Sequence, residues 1–290
     1  MTHGYHPSMR MLAGLIAFAL FATVLPAPAR AAAPAPADLV KAELLADVAS
    51  VKPGQPFHAG VLLKIKPKWH VYWKNPGDSG LPTRVKWNLP PGWKAGELQF
   101  PIPDRFDQPG DVVGYGYHDE VMLITTLTPP ANLPAGGPVE LSADVNWLVC
   151  EAICVPGKAK LTLSLPAGDS APTPANAEAF ATWTERMPAR GTEAGKLAAI
   201  EVKGTNPVQA RVRFMRPGKD VQWFVVPPEQ SGLENVQTNS DGELSSTVSF
   251  SLAPPPASAA DVWFLVAYTD QYGKRRGAEF NVMLPPPAGK

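Results

Sequence analysis

The chain has two cysteines, Cys150 and Cys154, in the run Trp147-Leu148-Val149-Cys150-Glu151-Ala152-Ile153-Cys154-Val155-Pro156. Two thiols this close support three chemistries. As a staple, the short loop they close gains about 2 kcal/mol on the chain-entropy estimate, against about 3 kcal/mol for a fifteen-residue loop, so a pair placed for stability belongs further apart. As ligands for Cu(I) or Zn(II) they need partners. The histidines beyond the first thirty residues are His58, His70 and His118, with no HxxxH and no second CxxC. As a redox pair they cycle between dithiol and disulfide, which requires access and thiolate character. Glu151 opposes thiolate formation; Lys158 and Lys160 lie nearby, and the sequence does not fix which way they point.

The positioning elements read as strands. A strand-like run at 140–149 leads straight into Cys150, and Val155-Pro156 leads out toward another at 160–165. This predicts a short hairpin at a sheet edge, where a partner thiolate can reach the bridge without disturbing a core. Further runs lie at 43–48, 57–65, 70–73, 84–88 and 122–127. Alternation of period two, with Pro and Gly punctuation such as Asn75-Pro76-Gly77-Asp78, predicts an all-β sandwich with one wet face per sheet. A linker is expected from residue 167 to 196 with one helix, capped by Thr173, starting at Pro174 and ended by Pro188 and Gly191. Its Phe180, Trp183 and Met187 share a face. A second β set follows at 199–203, 209–215, 222–226, 244–252, 262–269 and 279–284. The expected organisation is a sandwich over 38–166, a second over 197–285 and a disordered tail over 286–290.

Composition narrows the function classes. Lys plus Arg and Asp plus Glu are each 26 in 290 residues, so no net charge draws the chain to a phosphate backbone, and no nucleic-acid partner is expected. Residues 1–31 read as a cleaved secretory signal peptide. Arg10 precedes an apolar stretch from Met11 to Leu25, and Ala29-Arg30-Ala31 offers an A-x-A cleavage pattern. No other run is long enough to span a bilayer. The expectation is an exported, periplasmic chain with no membrane span after cleavage. There is no phosphate-binding loop and no catalytic triad in sequence, and no cofactor is called for.

From about Lys41 to Pro166 the sequence resembles the periplasmic amino-terminal domain of the DsbD/ScsB family. Three motifs carry the resemblance: Trp69-His70-Val71-Tyr72-Trp73-Lys74, Gly114-Tyr115-Gly116-Tyr117-His118-Asp119-Glu120-Val121, and the cysteine run with Val155-Pro156 behind it. The resemblance implies immunoglobulin-like sandwiches and a redox-active Cys150/Cys154 pair. It makes Cys154 the residue that links to the partner and Cys150 the one that resolves the mixed disulfide. It implies a cap loop in the Pro-rich segment 104–114, which contains Asp111. Tyr72, Tyr115 and Tyr117 become candidates to pack over the disulfide, and His70 and His118 candidates to modulate it. The implied partners are periplasmic thioredoxin-fold oxidoreductases, in cytochrome c biogenesis or copper tolerance among other settings. The family's membrane-conducting and thioredoxin-like domains are not in this sequence, so a separate membrane electron donor is expected. The family's best-known member spaces its cysteines more widely than the three residues that intervene here. The non-redox alternative is a binding module whose cysteines form a structural disulfide or hold Cu(I).

Overall fold

A computed structural model describes Met1 and residues 35–286, apart from 109, 111 and 135. The signal peptide read at 1–31, the tail beyond 286 and Asp111 lie outside the described residues. The chain opens with a helical turn, α1 (Pro36–Leu39), and continues through β1 (Val40–Ala46), β2 (Phe57–Ile65), β3 (His70–Gly77), β4 (Arg84–Asn88), β5 (Lys94–Ala95), β6 (Asp104–Gln108), β7 (Val112–His118), β8 (Glu120–Thr128), β9 (Pro138–Cys150) and β10 (Cys154–Pro166). These strands form two facing sheets, ordered β1-β2-β8-β5 and β10-β9-β3-β7-β6, with β4 also paired to β9. The long β9 shows why a sheet forms here: Leu141, Ala143, Val145, Trp147 and Val149 alternate into the core, and the residues between them face outward.

The expectation of one wet face per sheet fails for β2 and β8. Val61-Leu62-Leu63 and Val121-Met122-Leu123-Ile124 are continuous apolar runs, and all seven residues are buried. The outer face of their sheet is covered by α2 (Ala177–Glu185), which adds Phe180 and Trp183 to the same core. Gly60 makes this contact possible, since a Cβ there would stand 2.7 Å from the Met122 sulfur and 3.2 Å from the Phe180 ring. The helix starts later than Thr173-Pro174 suggested. Backbone bonds Thr173 O to Ala49 N and Ala175 N to Asp47 O hold that stretch extended beside the end of β1, and Asn176 becomes the N-cap.

Beyond α2 come β11 (Ala189–Arg190) and a second helix not expected from the sequence, α3 (Gly191–Leu197). Then follow β12 (Ala198–Lys203), β13 (Val208–Phe214), β14 (Gly218–Val226), β15 (Gly232–Ser240), β16 (Ser245–Ala253), β17 (Ala260–Asp270) and β18 (Arg275–Leu284). They build two more sheets, β11-β18-β17-β14 and β12-β13-β16-β15. The edge strand β15 is mostly polar and, apart from Leu233, exposed, which is why the hydrophobic pattern misses it.

The two sandwiches share a core. Phe224 of β14 and Leu265 and Ala267 of β17 belong to the same buried cluster as Trp73, Val71 and Tyr117 of the first sandwich. The Phe224 ring lies 5.8 Å from that of Trp73 and 5.0 Å from that of Tyr115. Between them, the Glu279 carboxylate is buried, with a side chain only 2% exposed, and is bonded by Lys74 of β3 and by Arg190 at 2.7 Å.

Candidate active site

Cys150 ends β9 and Cys154 begins β10, so the cysteines face each other across the last rung of the hairpin, Cα to Cα 4.1 Å, joined by a disulfide. Glu151, Ala152 and Ile153 form the exposed turn, with Ile153 half exposed. The hairpin end is held by a second feature of the sequence. Gly157 pairs with Trp147 one turn of pleat away, and the indole occupies the space a side chain at 157 would need; a Cβ there would come within 2.3 Å of the ring. The strand β10 is an edge, and Pro156 removes one of the donors such an edge presents. The two sulfurs differ in surroundings: Cys150 is 2% exposed, whereas Cys154 is exposed.

Residues directly opposite in neighbouring strands share a face. Cys154 lies opposite Cys150, Cys150 opposite His70, and His70 opposite His118. These four therefore form one row across β10, β9, β3 and β7 on the outer face of the larger sheet. Tyr72, two residues along β3, extends the same face. Its hydroxyl and His70 Nε2 are 3.2 Å apart, and Gln108 Nε2 reaches the hydroxyl at 3.5 Å.

This outer face is buried here because β6 and the loop after β3 fold over it. The Phe106 ring of β6 lies 4.3 Å from His70, 5.3 Å from His118 and 6.2 Å from Tyr72. Gly114 provides the seat: a Cβ there would fall 2.2 Å from the Phe106 ring. Gly80 does the same for Tyr72, at 2.5 Å. As a result Tyr72 is 1% and His70 7% exposed. Burial, aided by the neighbouring His118, lowers the His70 pKa to about 4, so the imidazole beside the disulfide is neutral at neutral pH.

The structure brings Cys150, Cys154, His70, Tyr72 and His118 together but turns Tyr115 and Tyr117 away. In Gly114-Tyr115-Gly116-Tyr117 the glycines face outward and the tyrosines inward, as period two requires. Tyr117 is buried in the core with its hydroxyl donating to Pro101 O at 2.7 Å, and Tyr115 packs on Phe224. Burial raises both phenol pKa values. The ring packed on the histidines beside the disulfide is instead Phe106, which sequence reasoning missed. Gly114 and Gly116 leave a floor on that face, but nothing in the sequence around residue 106 marks Phe106 as the ring that fills it. The segment 104–114 expected as a cap loop begins as the strand β6, paired along its length with β7. His58 sits on the other sheet, bonded to Asp47 at 2.8 Å. Among the described residues no group of three or more His, Cys, Asp or Glu is placed to hold a metal ion.

Residues 37–166 match the family model described as thiol:disulfide interchange protein DsbD, N-terminal. Among solved structures, the chain is similar to the N-terminal periplasmic domain of ScsB from Proteus mirabilis, with a TM-score of 0.63 and 18% identity over 86% of this chain and 94% of that one. That likeness extends over both sandwiches and shows a shared fold. The DsbD N-terminal domain of Neisseria meningitidis, in its reduced form, aligns with 45% of this chain and 89% of its own length at 14% identity and a TM-score of 0.30. No curated protein sequence matches the chain. The family match covers the sandwich that carries the hairpin disulfide, and residues 37–166 are a DsbD-type amino-terminal domain.

Proposed function

We propose that this chain is a periplasmic thiol–disulfide exchange protein that carries reducing equivalents from a membrane donor to thioredoxin-fold partners. The observation that carries the reading is the asymmetric bridge: an exposed Cys154 joined to a buried Cys150, which lies opposite His70, itself packed against Phe106. In the dithiol form, the Cys154 thiolate attacks one sulfur of the partner's disulfide. A mixed disulfide forms and one partner thiolate leaves. Cys150, directly across the rung, then loses its proton and attacks the Cys154 sulfur. The Cys150–Cys154 bond forms, the second partner thiolate leaves, and two electrons have passed to the partner with two protons following through solvent. The exposed turn and Ile153 offer the incoming thioredoxin fold a flat approach to Cys154, while Phe106, Tyr72 and His70 keep other thiols and oxidants from Cys150.

The neutral His70 beside Cys150 adds no positive charge to stabilise a thiolate, so in this reading reactivity is governed by access. The test is the midpoint potential of the pair, by thiol trapping across glutathione and dithiothreitol buffers. A reversible two-electron transition between about −180 and −270 mV, where exchange proteins lie, is expected. A bond that stays oxidised well below about −300 mV marks a structural disulfide and overturns the reading. In a Cys150→Ser variant, the mixed disulfide with a thioredoxin-fold partner should accumulate on Cys154, where mass spectrometry of the linked peptide finds it.

A further inference from the structure

We propose that Arg275, in the second sandwich, is a positioning residue for exchange at Cys150–Cys154: it holds the root of the strand that carries Phe106. The inference rests on the reading above, in which Phe106 shields the disulfide, and it gives the second sandwich a task in that chemistry.

Strand β6 is the outermost strand of its sheet, with β7 as its sole neighbour among the described residues. Its far end pairs with β7 at Gln108 and Val112 and adds two long side-chain bonds, Ser79 Oγ to Gln108 Oε1 at 3.2 Å and Gln108 Nε2 to Tyr72 Oη at 3.5 Å. Its near end is gripped. One Arg275 terminal nitrogen donates to Asp104 Oδ1 at 2.7 Å. The other donates to Pro103 O at 2.7 Å and to Gln222 Oε1 at 2.9 Å. An exposed ion pair alone contributes little. Here the planar guanidinium is fixed by its own sandwich through Gln222 and reaches both a side chain and the main chain at the start of β6. Two further contacts fix the preceding residue. Ile102 N donates to Arg186 O at 2.9 Å, and the Ile102 side chain lies against Gly277, where a Cβ would stand 2.9 Å from it. Phe106 is two residues beyond Asp104. A backbone movement of β6 that lifts its ring from His70 and His118 hinges next to the segment Arg275 holds.

The measurement is the rate at which dithiothreitol reduces the disulfide in the full oxidised chain, read as free thiols. Arg275→Ala is expected to speed reduction about three- to tenfold, the loss of one charge-assisted contact pair. Asp104→Ala removes the same bridge from the other end and should match it. Phe106→Ala should be fast, and adding Arg275→Ala to it should change the rate less than twofold, because the grip then has no ring to position. Thermal melts accompany each variant, so that a rate change from general loosening is recognised by its persistence in the Phe106→Ala background. Unchanged rates in both Arg275→Ala and Asp104→Ala, beside a fast Phe106→Ala, overturn the positioning role and leave the shield standing. A speed-up that is as large without Phe106 as with it also overturns it. A slow Phe106→Ala overturns the shield, and the clamp with it. The midpoint potential reports on the exchange reading independently of all these rates.

Discussion

At the scale of single residues, the site's unusual group is His70. It is a titratable ring buried on what is formally the outer face of a sheet. Its pKa falls from 6.5 to about 4 through burial and the nearby His118. The unfolded chain therefore binds a proton that the folded chain refuses. Stability is fully present above pH 6.5 and is lost as pH falls toward 4. Between pH 7 and pH 4.5 this one group accounts for about 2 kcal/mol. Denaturant unfolding of the oxidised protein at the two pH values should show that loss, and a His70→Gln variant should show a pH dependence shallower by about that amount. Equal slopes in the two proteins would mean that His70 is hydrated in solution. The cysteine pair was legible in the sequence because two cysteines in an otherwise cysteine-free chain leave few options. Phe106 was not, because nothing local distinguishes a phenylalanine over a glycine floor from one in a core.

At the scale of elements, the β9–β10 hairpin is what sets the two sulfurs at one rung. Its end is locked by the Trp147 indole over Gly157. Gly157→Ala forces the added methyl against a ring that is itself packed in the core, so the hairpin end must shift. Overpacking of this kind costs about 1–3 kcal/mol. We expect a lower urea midpoint and a changed reduction rate of the disulfide, since the rung that pairs the cysteines moves with it. A variant as stable as the parent would show that the indole swings aside freely. Strands with strict alternation, such as β9, were readable. The strand β7 was hidden because two of its outward positions, Gly114 and Gly116, are glycine, and β15 because it is mostly polar and almost wholly exposed. In each case the partner strand or the ring above decides the structure, and neither is adjacent in sequence.

At the scale of the whole molecule, the two sandwiches are coupled through Phe224 and through the buried Glu279. Glu279→Ala leaves Lys74, itself part-buried, and Arg190 facing each other without their shared carboxylate. Breaking a buried ion pair from one side costs about 3 kcal/mol or more, discounted here because Arg190 retains Glu97 at 3.0 Å. We expect a loss of about 2–3 kcal/mol in urea unfolding, still as a single transition, because the core that includes Trp73 and Tyr117 extends into both sandwiches. Two separate transitions would contradict a shared core.

By itself the sequence determined the β class, the position of the paired cysteines at a hairpin and the motifs by which residues 37–166 resemble their family. These follow from local rules: side-chain alternation, turn chemistry and the spacing of two thiols. Only the tertiary structure decided which ring packs on the histidines beside the disulfide, that Tyr115 and Tyr117 face the core, and that the second sandwich reaches the strand carrying Phe106. Those outcomes depend on which strands become neighbours and which glycines leave room between them, and such contacts link residues as far apart as Asp104 and Arg275, whose separation in sequence carries no trace of their meeting.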